Sequence, residues 1–425
     1  MDVDLQSGFG PRPFDSYVDP EGRRHAVVLT GGGARAAFEV GVLAALARGL
    51  SSGTGGWPLQ TNILCGTSLG AYHAAFLACH QEKGRLAPAI DELTRIWRRQ
   101  IARSSRWPDG GIYRLRGVPF YVEVPQSLAR DPVRSLLDTL RATGFWTRFA
   151  WRRAVDLTSP RKSLLDRVQA SIPVNEFFDI RPFRELVRET LDLKNLSRDD
   201  VFLAVTVTNF HSGSPEIHFK EQLVEDAGEN IIFASAAVPG LVPAIYIKAD
   251  PYVDGSLAME VPFLPAMAAN ADVLHVVRSW RSNDYSPIER DASSFAITLR
   301  MIRMLMETNT YNKLHSLRYV AEEVEELIEE ERRKWQDPDE FLTPCTFHRT
   351  RELLRRWAPR IPGSPSEIHF YSLKDSFRGT DGFLDFRAGR IDRLMSSGFR
   401  SARDHDCRAA GCWSAEHADR PGGAA

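Results

Sequence analysis

Residues 63–78 read ILCGTSLGAYHAAFLA, an apolar run that meets a Gly-x-Ser-x-Gly pentapeptide and continues into small residues at helical spacing. The run predicts a buried strand and the small residues predict a helix, so Ser68 lies at the turn between them. Gly66 and Gly70 leave room for a tight turn that exposes the serine hydroxyl, and the helix N-terminus favours negative charge there. The pattern indicates a nucleophilic serine. The alternative is that Thr67 or Ser68 only caps the helix.

A run of glycines precedes Ser68 by about 35 residues. These are Gly31, Gly32 and Gly33. They follow the apolar stretch HAVVLT (residues 25–30) and open a helix-forming segment, ARAAFEVGVLAALARGL. Backbone amides in such a loop are suited to bind a developing oxyanion, and Arg35 would add positive charge nearby.

The same glycines match the Gly-x-Gly-x-x-Ala pattern of a dinucleotide-binding turn. That site needs an acidic residue about 20 positions later to hold a ribose hydroxyl, and residues 47–64 contain neither Asp nor Glu. No Gly-Lys-Ser/Thr follows the glycines, which argues against a phosphate-binding P-loop. The oxyanion interpretation is therefore favoured.

The alternation of strand and helix around these two turns predicts an α/β fold, with a mainly parallel sheet covered by helices. Residues 95–162 break the alternation, since they carry 15 Lys and Arg against 5 acids and four of the nine tryptophans. Membrane docking and a solvated helical cap are the two interpretations of this insert. The expected organisation is a flexible arm (1–23), a catalytic domain (24–280) containing the insert, a helical C-terminal extension (281–400) and a disordered tail (401–425).

Composition narrows the function classes. The 425 residues carry 54 Lys and Arg against 55 Asp and Glu, so no net field indicates a nucleic-acid partner. The five cysteines are scattered without metal-ligand spacing, which is typical of a reducing cytosol. The N-terminal residues contain no apolar leader, and eighteen consecutive apolar residues occur nowhere. We expect a cytoplasmic protein whose contact with membranes, if any, is peripheral.

Two residues are candidates for the base that takes the proton from Ser68. Asp254 lies in the Asp-Gly turn of YVDGS after a predicted strand, and His275 follows in DVLHVV. The order Ser, Asp, His would suit an α/β-hydrolase triad. However, His275 alternates with apolar residues in a predicted strand, where packing is expected. We also assign His73, on the helix after Ser68, to packing.

Together these motifs resemble those of patatin-like phospholipases. The resemblance rests on Gly-Gly-Gly-x-Arg at 31–35, Gly-Thr-Ser-Leu-Gly at 66–70 and Asp-Gly-Ser at 254–256, in that order. FASAAVPGLVPAIYI ahead of the aspartate and IDRLMSSGF near the end are similar to further family segments. The match covers about 24–280 and, more weakly, 385–405.

The resemblance implies a three-layer patatin-like α/β domain with a Ser–Asp dyad, in which Ser68 attacks an acyl carbonyl and Asp254 acts as the base. It implies that the glycine-loop amides form the oxyanion hole and that the glycines around Ser68 shape the nucleophile elbow. Gly255 and Ser256 would form the aspartate turn. The chemistry implied needs no cofactor and no metal.

The sequence departs from the family pattern in small ways. Ala36 stands where the family often has Gly. Ser256 stands where the family often has a second Gly or an Ala. Glu260 stands where the family commonly has Asn. An acid at that position would raise the pKa of Asp254 if it lies close.

The expected function is hydrolysis of a phospholipid or lysophospholipid acyl ester through an acyl-Ser68 intermediate. The expected partners are the lipid substrate and, transiently, a membrane surface, with no nucleic acid. One alternative is a carboxylesterase of α/β-hydrolase type that uses His275. The other is a lipid-binding or scaffold protein of this fold without turnover. The sequence does not indicate the oligomeric state.

Overall fold

The computed structural model describes residues 16–102, 111–115, 132–158, 178–225, 228–279, 300, 301, 304, 365–373, 384–410 and 412–414. The strands are β1 (His25–Leu29), β2 (Ile63–Thr67), β3 (Arg114–Leu115), β4 (Phe178–Asp179), β5 (Phe202–Asn209), β6 (Pro215–Phe219), β7 (Ile245–Ile247), β8 (Asp250–Asp254), β9 (Val273–Arg278), β10 (Glu367–Ser372) and β11 (Trp413–Ser414). The α-helices are α1 (Ala37–Leu46), α2 (Leu69–His80), α3 (Ala87–Ile96), α4 (Pro132–Thr158), α5 (Arg181–Thr190), α6 (Lys220–Val224), α7 (Gly228–Ser235), α8 (Ser256–Met259), α9 (Phe263–Ala268), α10 (Ala388–Arg403) and α11 (Cys407–Ala410).

The main sheet has the strand order β11–β10–β9–β1–β2–β5–β8–β7, with β6 also paired to β5. The central pairs β10–β9, β9–β1, β1–β2 and β2–β5 are parallel, and the flanking pairs are antiparallel. A mainly parallel sheet is therefore confirmed. The carboxyl ends of its parallel strands meet at one edge, where turns into helices gather functional groups.

Two apolar clusters lie on opposite faces of this sheet. In β1, Val27 and Leu29 belong to one cluster, and Ala26 and Val28 belong to the other. The first cluster includes side chains of α1, α2, α3 and α10, and the second includes those of α9. Because the central strands are buried on both faces, they are apolar without alternation. This is the three-layer α/β arrangement that the sequence predicted.

Helix α10 crosses α1 at close range. A Cβ added to Gly41 would collide with the carbonyl oxygen of Met395, and one added to Gly398 would collide with that of Phe38. Glycine at both crossing points lets the two backbones touch. The last long helix described is thus packed directly on the first.

The structure differs from the expected C-terminal boundaries. The sheet continues past residue 280, because β10 pairs in parallel with β9. The predicted helical extension therefore also supplies a strand. The tail expected to be disordered from 401 contains the end of α10, α11 and β11, in which Trp413 pairs with Ile368. Residues 280–299, 302–303, 305–364, 374–383, 411 and 415–425 lie outside the described part.

The ends of the predicted arm and insert are partly described. Residues 1–15 lie outside the described part, whereas Asp19 accepts a hydrogen bond of 2.9 Å from Arg23 Nε and lies 3.0 Å from His25 Nε2. In the insert, α3 ends in a π-helical turn (Trp97–Ile101) with a buried tryptophan, and α4 spans 27 residues. Residues 103–110, 116–131 and 159–162 are not described. No helix in the described ranges is long and apolar enough to cross a membrane.

Candidate active site

Ser68 lies at the turn between β2 and α2, in a backbone conformation that residues other than glycine rarely adopt. Its φ is 57° and its ψ is −135°. The turn is packed too tightly for larger neighbours, because a Cβ on Gly66 would strike the Gly70 carbonyl, and one on Gly70 would lie 2.6 Å from Leu29 O and 2.8 Å from Gly31 N. The glycines predicted to shape the elbow therefore bring β1, β2 and α2 into backbone contact. A non-glycine residue in this conformation is strained and is held by its surroundings.

The register of the sheet places Ser68 and Asp254 at one level. Thr67 of β2 lies opposite Thr206 of β5, and Val207, the next residue of β5, lies opposite Asp254 of β8. The two side chains meet across β5, where Ser68 Oγ donates a hydrogen bond of 2.7 Å to Asp254 Oδ2. The alternative that Ser68 only caps α2 is wrong, since its side chain makes no cap hydrogen bond.

Asp254 is fully buried, and burial raises its pKa to about 6. Hydrogen bonds from the Ser68 hydroxyl and from the backbone amide of Ser256 (2.9 Å to Oδ1) oppose this rise by stabilising the carboxylate. The charge of Glu260 raises the pKa further, as expected from its place after the aspartate turn. Gly255 allows the turn, because a Cβ there would strike the carbonyl oxygen of Thr206.

Ser235, at the end of α7, links the nucleophile elbow to the neighbouring strand β5. The backbone amide of Ser68 donates a hydrogen bond of 2.9 Å to Ser235 Oγ, and that hydroxyl donates one of 2.7 Å to the carbonyl of Thr206. Ser235 is thus a bridge between the strained turn and β5. Local sequence gives Ser235 no role, because the contact joins positions 167 residues apart.

The glycine loop supplies fewer free amides than predicted. The amide of Gly31 donates a hydrogen bond of 2.6 Å to Glu39 Oε1, so the prediction that it forms the oxyanion hole is wrong. Gly32 and Gly33 have φ values of 116° and 59°, and their amides donate to no protein acceptor within the described residues. Arg35 is buried on the short 3₁₀ turn that follows. Gly32 and Gly33 are the remaining candidates for oxyanion donors.

Glu39 belongs to a buried chain of hydrogen bonds. Its second oxygen lies 2.8 Å from His73 Nδ1, and Trp97 Nε1–H donates a hydrogen bond of 2.8 Å to His73 Nε2. Because the indole can only donate, it fixes the tautomer in which Nδ1 carries the proton that His73 gives to Glu39. Burial raises the pKa of Glu39, whereas the hydrogen bonds from His73 and the Gly31 amide oppose the rise. His73 is packed, as expected, but it also supports the glycine loop.

His275 lies far from the serine. It is opposite Val27 of β1, which is opposite Leu64 of β2, four residues before Ser68. At a rise of about 3.3 Å per residue, this offset is about 13 Å along the sheet. His275 contacts His25 at 2.9 Å and Tyr371 at 3.3 Å. Burial and the neighbouring histidines lower its pKa well below the usual range.

The insert reaches the site through Tyr113. This side chain is buried, and its hydroxyl donates a hydrogen bond of 3.2 Å to the carbonyl of Ala236. Burial, and then the charge of Asp254, raise the pKa of its phenol. Ser68 itself is only 4 % exposed. In the described structure the site is therefore covered.

No residues at the dyad form a group suited to hold a metal, within the ranges the structure covers. The one group of this kind there lies elsewhere, at His369, His405, Cys407 and Cys412. The reading of the cysteines as lacking ligand spacing missed this group, because its histidines and cysteines come together only in three dimensions.

A family model described as "Patatin-like phospholipase" matches residues 27–267. No curated protein matches the sequence. Among solved structures, the crystal structure of VipD from Legionella pneumophila is similar, with 14 % identity and a TM-score of 0.29 over 91 % of this chain and 70 % of that one.

Proposed function

The chain belongs to the patatin-like phospholipase family, and we propose that it cleaves the acyl ester of a phospholipid or lysophospholipid with Ser68 as nucleophile and Asp254 as base. The observation that carries the proposal is the 2.7 Å hydrogen bond from Ser68 Oγ to Asp254 Oδ2. A carboxylate in direct contact with the hydroxyl can accept its proton during attack. With a pKa of about 6, Asp254 is ionised in most molecules at neutral pH and is a stronger base than an exposed aspartate.

The proposed reaction has two steps. Ser68 Oγ bonds to the acyl carbonyl carbon as its proton passes to Asp254, and the resulting oxyanion accepts hydrogen bonds from the Gly32 and Gly33 amides. The C–O bond to the lipid then breaks, and the departing oxygen takes the proton from Asp254. Water attacks the acyl-Ser68 ester in the same way, with Asp254 accepting a proton from water and returning it to Ser68 Oγ.

The surroundings of Ser68 support this role over two alternatives. A carboxylesterase with a histidine base is disfavoured, because His275 is about 13 Å away along the sheet and contacts other histidines. A scaffold without turnover would not need a strained serine braced by Ser235 and aimed at a buried carboxylate. Reaction with a suicide probe separates enzyme from scaffold.

The test uses a fluorophosphonate probe and the release of fatty acid from phospholipid vesicles. Wild type should be labelled and should release fatty acid. Ser68→Ala should lose both, by about 10³-fold or more, while its circular dichroism stays that of wild type. Ser212→Ala, in the exposed turn between β5 and β6, is the matched control and should keep both activities. A wild type that neither reacts nor hydrolyses would favour the scaffold, and a labelled, active Ser68→Ala would remove Ser68 from the mechanism.

We further propose that α4 brings the enzyme to a lipid surface. This helix carries large apolar side chains that are 47–72 % exposed: Val133, Leu136, Leu137, Leu140, Trp146 and Trp151. The first four recur at helical spacing, and exposed Arg141 and Arg148 lie on the same helix. Apolar, tryptophan-bearing helices with basic residues suit the interface of an anionic membrane. By contrast Arg98, in the first part of the insert, is paired with Asp392 at 2.9 Å and supports a cap.

Vesicle binding, measured together with hydrolysis of vesicle lipid and of a soluble ester, tests the proposed contact of α4 with the lipid surface. Leu136→Gln with Leu140→Gln should weaken binding to anionic vesicles about tenfold or more, because two apolar anchors are lost. Turnover of a short soluble ester should be unchanged, since Ser68 and Asp254 are untouched. Equal losses on vesicles and soluble ester would show that α4 is structural and would end the membrane proposal.

A further inference from the structure

We infer that His369, His405, Cys407 and Cys412 form a structural zinc site that clamps the C-terminal segment onto the edge of the main sheet. His369 is on β10, His405 follows α10, Cys407 opens α11 and Cys412 precedes β11. One ligand atom of each residue lies within 4.8 Å of all the others. Four side chains from four places in the chain's last 60 residues therefore converge on one point.

Two of the distances between ligand atoms are those of a tetrahedral site. Cys407 Sγ lies 3.6 Å from His369 Nδ1, and Cys412 Sγ lies 3.3 Å from His405 Nε2. Bonds of about 2.3 Å from zinc to sulfur and about 2.0–2.1 Å to nitrogen place neighbouring ligand atoms of a tetrahedron about 3.3–3.8 Å apart. Both measured pairs fall in that range. All pairs lie within 4.8 Å, so a contraction of about 1–1.5 Å at most would complete the tetrahedron.

The donor set indicates which metal and which role. Two thiolates with two imidazoles in tetrahedral geometry favour zinc, whereas magnesium and calcium require oxygen ligands. Four protein ligands leave no position open for water or substrate. The ion would thus stabilise structure and would take no part in ester hydrolysis. This inference is independent of the proposed function.

Neighbouring groups orient the ligands as they do in zinc proteins. His369 Nε2 lies 3.0 Å from Glu367 Oε2, so the other ring nitrogen, Nδ1, faces the cysteines. The amide of Phe370 donates a hydrogen bond of 3.3 Å to Cys412 Sγ. A carboxylate behind a ligating histidine and an amide donating to sulfur are outer-shell contacts that fix ligand geometry. The Tyr371 ring packs against the His405 ring, with centroids 4.5 Å apart.

The backbone already brings the two sulfurs together. The amide of Cys412 donates a hydrogen bond of 2.9 Å to the carbonyl of Cys407, which closes a turn between them. The loop between α1 and β2 contacts this segment, since Ser52 Oγ donates a hydrogen bond of 2.9 Å to the His405 carbonyl. A bound ion would join strand β10 to residues 405–412. The alternative to metal binding by Cys407 and Cys412 is a disulfide bond between them.

Metal analysis of the full-length protein tests the site. Wild type purified in the presence of zinc, without chelators, should hold about one zinc ion per chain by elemental analysis. Replacing zinc with Co²⁺ should give the absorption of tetrahedral cobalt with a thiolate charge-transfer band. Cys407→Ser with Cys412→Ser should lose the ion and the band. Cys79→Ser, which changes a buried cysteine on α2, is the matched control and should keep both.

A second measurement holds even if the double variant folds poorly. Zinc added to metal-free, reduced wild type should raise its melting temperature and slow tryptic cleavage after Arg403 and Arg408, because binding to the folded state stabilises it. Wild type that takes up no zinc, or whose melting temperature does not respond, overturns the inference. So does a Cys407–Cys412 disulfide in protein prepared under reducing conditions. Zinc retained by the double variant would place the ion elsewhere and also overturn it.

Discussion

The carboxyl end of β2 and the β9–β10 edge of the same sheet bury polar groups in opposite ways. At the end of β2 the buried groups are carboxylates, each matched to hydrogen-bond donors: Asp254 to Ser68, and Glu39 to His73 and the Gly31 amide. At the β9–β10 edge they are histidines, and His275 of β9 is stacked between the rings of His25 of β1 and His369 of β10.

The difference lies in how burial changes the pKa of the two candidate bases, Asp254 and His275. Burial favours the neutral form of both kinds of group, so it raises the pKa of the carboxyls and lowers that of His275. At neutral pH a carboxyl with a pKa near 6 is still mostly ionised and can accept a proton. His275 is neutral but is already hydrogen-bonded within the sheet.

The largest effect is expected from replacing the two candidate bases, one in each region. Asp254→Asn keeps the shape but removes the base, so kcat should fall about 10³-fold or more, within the range of general-base effects. His275→Gln should change kcat less than about threefold, provided the variant folds. Ester turnover with both variants measures this. A folded His275→Gln enzyme as inactive as Ser68→Ala would establish the triad instead.

Stability provides the control for that comparison. Burial raises the pKa of Asp254 from 3.8 to about 6. A shift of this size changes the free energy of unfolding by about 3 kcal/mol between low and high pH. Because the folded state binds the proton more tightly, the stability present below pH 3.8 is lost as pH rises through about 6. Asp254→Asn carries no such charge and should melt no lower than wild type at pH 8. A lower melting temperature would mean that its inactivity reflects unfolding.

A smaller effect is expected from Glu39. In Glu39→Gln, one acceptor oxygen becomes an amide donor that faces either the Gly31 amide or His73 Nδ1–H, both donors. The glycine loop should shift, lowering kcat about 10–100-fold with KM nearly unchanged, as for a weakened oxyanion hole.

Asp19→Asn is the matched control from the other region, because Asp19 is bonded to His25 there. Its kcat should stay within about threefold of wild type. If Glu39→Gln raises KM and leaves kcat unchanged, or if the two variants are equally impaired, Glu39 does not position the loop for catalysis.

The smallest effect is a shift in the pH profile. Since Asp254 must be ionised to act, kcat/KM should fall about tenfold per pH unit below about 6. The charge of Glu260 raises this pKa, so Glu260→Gln should move the fall to lower pH by a fraction of a unit. Profiles of wild type and variant on a soluble ester measure the shift. A fall that stays in place or moves to higher pH would contradict the assignment of the limb to Asp254.

Local patterns pointed to residues that the structure brings together at the candidate site. Ser68, Asp254 and the glycines around them are marked by turn residues next to apolar runs, which local sequence shows. Roles that depend on distant contacts were not visible. Ser235 and Glu39 contact partners that only the folded sheet brings near. The acceptor of the Gly31 amide, on α1, could not be inferred from spacing.

The C-terminal part was harder for the same reason. Residues 401–425 are polar, a composition typical of disorder, yet β11 pairs with β10 and Cys407 lies beside His369. Histidines and cysteines drawn from strand, loop and helix form no sequence motif. A polar composition predicts that such a segment is exposed to solvent, but it does not indicate which residues the segment contacts in the fold.

The glycine crossing of α1 by α10 sets an order in time for making this protein. Helix α1 ends at Leu46, whereas its covering helix begins at Ala388, about 340 residues later. At about 5–20 residues per second, a ribosome needs roughly 20–70 s to reach α10 after completing α1. Throughout that interval the face of α1 around Gly41 has no α10 to pack against. The packing of α1 is therefore completed only after residues 388–403 have been synthesised.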